Sequence, residues 1–203
     1  MSCFTSNSNF FLHTTGASST GKTAATFGSP DGSSPGLFTL TASEIFSLIT
    51  IANAENPGMS HVVTLSMLTT EATPETENNN TDINDLLLSL DDIVSGENKV
   101  VKVRENVQKG EFFAENLTEV CCGSIQEFND VFNYAMGAEK PYAKYHTLAT
   151  IKVYENGGET VTKFGFLDLA GKDRDAQAGA KVKGRKSNNP VSGNKEVSRS
   201  EAK

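Results

Sequence analysis

Residues Gly16-Ala17-Ser18-Ser19-Thr20-Gly21-Lys22-Thr23 satisfy G-x-x-x-x-G-K-[ST] at every fixed position. They follow an apolar patch, Phe10-Phe11-Leu12, and open what reads as a helix from Lys22 to about Gly28. A buried strand, a glycine-rich turn and a helix start are the context this pattern requires. Glycines let the backbone wrap closely, so that several N–H groups converge on phosphate oxygens at the positive end of the following helix. In that chemistry Lys22 reaches the β- and γ-phosphates, and the Thr23 hydroxyl ligates Mg²⁺. A chance match in a Gly/Ser-rich segment is the competing reading, and the correct flanks argue against it.

Such a loop needs an aspartate at the carboxyl end of a neighbouring strand. Asp168 fits, because Lys163-Phe164-Gly165-Phe166-Leu167 reads as a buried strand. Asp168-Leu169-Ala170-Gly171 then forms D-x-x-G, in which Asp168 organises Mg²⁺ through water and the Gly171 N–H senses a γ-phosphate. Guanine recognition would call for N-K-x-D. Asn194-Lys195-Glu196-Val197 fails that pattern at its fourth position.

The 203 residues suffice for one ordinary domain with a tail. A net charge of −7 argues against a nucleic-acid partner, since phosphate neutralisation needs a basic face. The charge is uneven, however: residues 172–203 carry 9 basic and 4 acidic side chains. We expect residues 1–171 to form the folded part and 172–203 a basic, disordered tail that an acidic partner could use. Cys3, Cys121 and Cys122 suit neither a disulfide framework nor a zinc site, which points to a reducing compartment. No apolar run approaches a membrane span and no secretion signal is evident, so a cytoplasmic protein without membrane contact is expected. No heptads are present to dimerise it, and the sequence leaves the oligomeric state open.

Elements alternate along the chain. A turn-rich stretch runs from Gly28 to Gly36, and Thr41-Ala42-Ser43-Glu44 has the spacing of a capping box opening a helix with Ile45, Leu48, Ile49 and Ala52 on one face. His61 to Leu68 reads as a strand and Thr69 to Thr81 as an exposed loop. Asp82 to Leu87 reads as a short helix and Val100 to Val103 as a small strand. Ser124-Ile125-Gln126-Glu127 opens a helix that ends at Gly137, with Phe128, Val131, Phe132 and Ala135 sharing a face. Thr147 to Tyr154 and Val161 to Leu167 read as strands joined through Asn156-Gly157-Gly158. The pattern implies an α/β fold, a P-loop-type central sheet with helices on both faces.

From about Phe11 to Gly184 the residues resemble, in order, a kinesin motor domain, here incomplete and degenerate. Gly16 to Thr23 stands where that family has GQTGSGKT, and Val63 to Leu68 with Ile83 to Leu87 is similar to its VSMLEIYNEKIRDLL stretch. Val101-Lys102-Val103-Arg104-Glu105 leading to Glu115-Asn116-Leu117-Thr118-Glu119-Val120 is similar to VRE...ENLTEV. Phe166 to Gly171 resembles the switch II segment LVDLAGSER. The resemblance implies ATP and Mg²⁺ as ligands, microtubules as partner, and a cytoskeletal location. It also implies that residues 142–146 stand in for switch I, NxxSSRSH. Tyr142 and Ala143 replace its two serines, and only His146 matches outright. Lys144 and Asp173 occupy the places of the family's arginine and glutamate, a pair with shorter arms and no guanidinium fork. His146 reads equally as a switch residue or as an ordinary partly buried histidine.

The family's first strands would lie before Met1, and its long microtubule-binding helix after switch II is not recognisable. Three readings follow. The chain is an ATP-dependent microtubule motor or a fragment of one, a relic that keeps nucleotide or tubulin affinity without hydrolysis, or a truncated product that folds poorly because its edge strands are unpaired. The catalytic set implied for the first is Lys144, His146, Asp168, Gly171 and Asp173.

Overall fold

The computed structural model describes residues 9–29, 32–71, 83–88, 100–108, 110–137, 145–158 and 160–171. Period-two alternation builds the middle of its sheet. Strand β2 (His61–Glu71) buries Val63, Leu65 and Met67, and strand β7 (Tyr145–Glu155) buries Ala149, Ile151 and Val153. The two pair antiparallel, with Val63 opposite Val153, Leu65 opposite Ile151 and Met67 opposite Ala149. These six side chains therefore make one apolar face.

Strand β8 (Thr160–Asp168) follows β7 as an antiparallel neighbour. The turn between them passes through left-handed backbone at Asn156 and Gly157, with φ of 49° and 73°, as the Asn-Gly-Gly sequence predicts. Strand β1 (Phe10–Thr14) pairs with β8 in parallel, which sets Thr14 beside Asp168. On the far side, β3 (Ile83–Asp85) and β6 (Val120–Cys122) both pair antiparallel with β2. The result is a six-stranded mixed sheet in the order β1-β8-β7-β2-β3, with β6 also on β2. A separate hairpin joins β4 (Lys102–Asn106) to β5 (Glu111–Glu115).

Three described helices meet the apolar face. They are α1 (Lys22–Phe27), α2 (Leu37–Glu55) and α3 (Ile125–Gly137). Phe38, fully buried in the first turn of α2, is the hub: its ring lies 5.2 Å from Phe166 of β8, 5.3 Å from Phe132 and 5.5 Å from Phe128 of α3, and 5.7 Å from Phe27 of α1. Tilted and edge-on aromatic pairs at such distances add to the burial of their large apolar surfaces. The expected cap of α3 is present, since Ser124 Oγ accepts from the Glu127 N–H and the Glu127 carboxylate accepts from the Gly123 N–H.

Several expectations are corrected. Helix α2 begins at Leu37, not Thr41, with Gly36 as its N-cap residue. Thr41 is inside the helix and donates its hydroxyl back to the Leu37 carbonyl, as Ser43, Ser47 and Thr50 do to residues four earlier. The earlier start follows from the backbone approach at Gly36, where a Cβ would lie 2.3 Å from both Gly28 N and Phe27 C. Only glycine fits there. Helix α2 is also long and apolar enough to match a membrane span by length and composition, contrary to expectation. Its Phe38, Ala42, Ile45 and Ile49 are nevertheless packed in the protein core, and Ala52 is buried as well.

Residues expected as a short helix at 82–87 instead include β3, and the exposed loop expected from Thr69 to Thr81 is strand up to Glu71, its remainder lying outside the described residues. The edge of β2 supplies ladder partners to Ile83–Asp85, and the Asp85 carboxylate accepts the Leu87 and Thr118 N–H groups. Those bonds outweigh a weak local helix preference. The small strand expected at Val100 to Val103 lies later, at Lys102–Asn106. Strand β1 is not the buried strand expected. It is the last strand in the described order, and Phe10 and Phe11 are 46% and 58% exposed.

On the opposite face a polar cluster fastens the residues after β5 to the sheet. The Glu119 carboxylate accepts hydrogen bonds from Thr64 and Tyr154, each at 2.6 Å, and from Lys152. Burial alone would push the Glu119 carboxyl up, but the bonds from Lys152, Thr64 and Tyr154 together with the Lys152 charge outweigh it and hold it below the usual carboxylate value. Burial first, and then the hydrogen bond to Glu119 and its negative charge, push the Tyr154 phenol up.

Two outcomes are expected. Phe38→Ala should cost about 3–5 kcal/mol in chemical denaturation, since it empties the hub of the aromatic core. A lowered folded-state carboxyl adds stability above the unfolded pKa that is lost as pH falls through the folded one. Glu119→Gln should therefore show a shallower loss of stability than the unmodified chain below the ordinary carboxylate range, measured by denaturation at a series of acidic pH values.

Candidate functional site

The loop after β1 turns by means of left-handed residues. Gly21, with φ 85°, caps the N-terminus of α1, and Ser19 takes φ 61° despite its side chain. The Ala17 carbonyl holds the loop closed by accepting from the Thr20 hydroxyl and from Lys22 Nζ, each at 2.8 Å. Lys22 thus lies across the loop it belongs to.

Asp168 ends β8 directly beside this loop. It is 6% exposed and has a hydroxyl donor for each oxygen: Thr14 gives to Oδ1 at 2.9 Å and Thr23 gives to Oδ2. Thr26, wholly buried, has its hydroxyl 3.1 Å from that of Thr14 and 3.0 Å from the Lys22 carbonyl, and with the Thr14 proton on Asp168 its own single proton is shared between those two acceptors. The two groups expected to serve Mg²⁺, Thr23 and Asp168, are therefore in direct contact. Their hydroxyl and carboxylate oxygens are the hard donors that this ion takes, so the residues present fit it.

The segment after Asp168 closes over the loop. A Cβ on Gly171 would lie 2.4 Å from Ser18 Oγ and 2.6 Å from Ser18 N and Cα, so no side chain fits at position 171. His146, at the start of β7, accepts the Ala170 N–H at Nδ1 over 3.0 Å. Residues 18–24, Gly28 and residues 168–171 line one cleft of about 290 Å³. That is near the lower end of ligand pockets, ~300–1,000 Å³.

Of the residues predicted from sequence, Gly16 to Thr23, Asp168, Gly171 and His146 thus come together. Lys144 and Asp173, with Tyr142 and Ala143, lie outside the described residues. Sequence reasoning missed Thr14 and Thr26. Neither belongs to a fixed motif position, and Thr14 gains its role only from the β1–β8 register.

A family model for the kinesin motor domain matches residues 3–198. The chain belongs to the kinesin motor domain family. Solved kinesin structures share its fold. The C-terminal motor domain of Kar3 from Candida glabrata has 21% identity and a TM-score of 0.62, over 84% of this chain and 50% of that one. A fast kinesin has 18% identity and a TM-score of 0.64, over 88% and 49%. A kinesin motor ATPase studied through its mutants has 20% identity and a TM-score of 0.60, over 82% and 45%. This kinesin-family chain spans about half the length of the first two and somewhat less of the third. Comparison with curated proteins gives no match.

Thr14→Val should destabilise the chain by about 1–3 kcal/mol in chemical denaturation, because it strips a donor from a buried carboxylate. A cost below experimental error would mean that Thr23 alone suffices for Asp168.

Proposed function

We propose that this chain is the nucleotide-binding part of a kinesin-like microtubule motor, a cytoplasmic, cytoskeletal protein that binds and hydrolyses ATP to drive movement. The observation that carries the reading is the meeting of the Gly16–Thr23 loop with Asp168 through the Thr23 hydroxyl. Loop amides and Lys22 bind the phosphates. Thr23 and, through water, Asp168 would hold Mg²⁺, which when bound neutralises charge on the β- and γ-phosphates. Gly171 is the sensor of the γ-phosphate, because its bare backbone lies against the loop at Ser18. Residues 1–171 form the motor-like part and the basic stretch 172–203 offers positive charge to acidic tubulin surfaces. Lys144 and Asp173 serve as the closing pair by family resemblance.

Binding of Mg-ATP by the purified chain, read by titration calorimetry, tests this. Lys22→Ala should weaken binding about 10- to 100-fold through the lost charge-assisted bond to phosphate. Equal affinity in both proteins, or no binding by the unmodified chain, would reject the reading. Turnover that rises on adding microtubules supports a working motor. Binding without turnover supports a non-hydrolysing relic instead.

A further inference from the structure

Where β8 ends at Asp168, its chain leaves the sheet between two neighbours, β1 and β7. The next two N–H groups are taken up from opposite sides. Leu169 N–H donates to the Thr14 carbonyl of β1 over 3.2 Å, a backbone bond that any residue at position 14 would supply. Ala170 N–H donates to Nδ1 of His146 over 3.0 Å, a bond that exists only because of the side chain at position 146. The last ladder pair between the strands is Thr147 with Asp168, so the imidazole adds one rung beyond the end of the ladder. That rung lies one residue before Gly171, whose backbone rests against Ser18 of the loop.

We infer that His146 is a positioning residue: by accepting the Ala170 N–H it holds the Leu169–Gly171 segment down, with Gly171 closed on Ser18. To accept, Nδ1 must carry no proton, so the ring proton sits on Nε2. Without the acceptor, Ala170 loses this bond, and the Leu169 bond to Thr14 is the other backbone tie of the segment among the described residues. The His146 side chain is thus the β7 contribution to holding Gly171 over the loop. The inference rests on the proposed nucleotide reading for its role in ligand binding. The bond itself and its effect on Ala170 stand without that reading.

Amide hydrogen exchange of the ligand-free full chain, read residue by residue by NMR, tests it in three proteins. In His146→Ala the Ala170 amide should exchange about five- to tenfold faster than in the unmodified chain, the effect of losing one hydrogen bond. In His146→Asn it should return towards the unmodified rate, because Asn Oδ1 occupies nearly the place of Nδ1 and also accepts. The Leu169 amide, held by Thr14, should keep its rate in all three. Equal Ala170 rates in the three proteins, or Leu169 accelerating together with Ala170, would overturn the inference. Ring ¹⁵N shifts of the unmodified chain give a check that needs no variant: a neutral ring with its proton on Nε2 supports the bond, and a neutral ring with its proton on Nδ1 overturns it. Mg-ATP affinity measured on the same proteins separates the two readings. If the unmodified chain binds no nucleotide while Ala170 responds as expected, the nucleotide reading fails and the positioning role stands.

Discussion

The parallel pairing of β1 with β8 carries the site. Two segments 154 residues apart in sequence, Thr14 and Asp168, become neighbours because both strands run in one direction and end together. Parallel strands deliver the loops that follow them to the same edge of a sheet, which is why open α/β folds bind ligands at the carboxyl ends of their strands. An antiparallel arrangement of the same two strands would send the glycine-rich loop and the aspartate to opposite ends. The hydroxyls of Thr14 and Thr23 then fix the Asp168 carboxylate from both sides.

The aromatic core keeps that pairing in place. Phe166 sits two residues before Asp168 on β8 and Phe27 sits four residues after Thr23 on α1, and both pack on Phe38. Ring packing on one side of the sheet and hydroxyl contacts at its edge therefore constrain the same strands. The backbone approach of Gly36 to Phe27 and Gly28 ties the start of α2 to the end of α1, and so places Phe38 where it can reach all its partners. The core and the cleft share their walls.

Much of this was legible because its signals are local. The loop, the helix opened by Ser124, and the β7–β8 connection each follow from residue types at fixed spacing. The failures share one cause. Ile83–Asp85 became a strand because β2 had an edge to offer, α2 began early because glycine allowed two backbones to touch, and β1 stayed exposed because β8 is its one neighbour among the described residues. Edges, close approaches and neighbours are properties of pairs of segments, which spacing within one segment does not encode.

Sequence by itself determined the chemistry on offer: an anion-binding loop with its lysine and threonine, an aspartate closing an apolar strand, and an order of motifs that identifies the family. Those rest on covalent order and on backbone freedom at glycine, which a string of residues states directly. Only the tertiary structure decided that Thr14 and Thr26 would join Asp168, that Gly171 would lie against Ser18, and that His146 would take the Ala170 amide. Hydrogen bonds are short and directional, so they are settled by strand register, and register is fixed when distant apolar faces pack together.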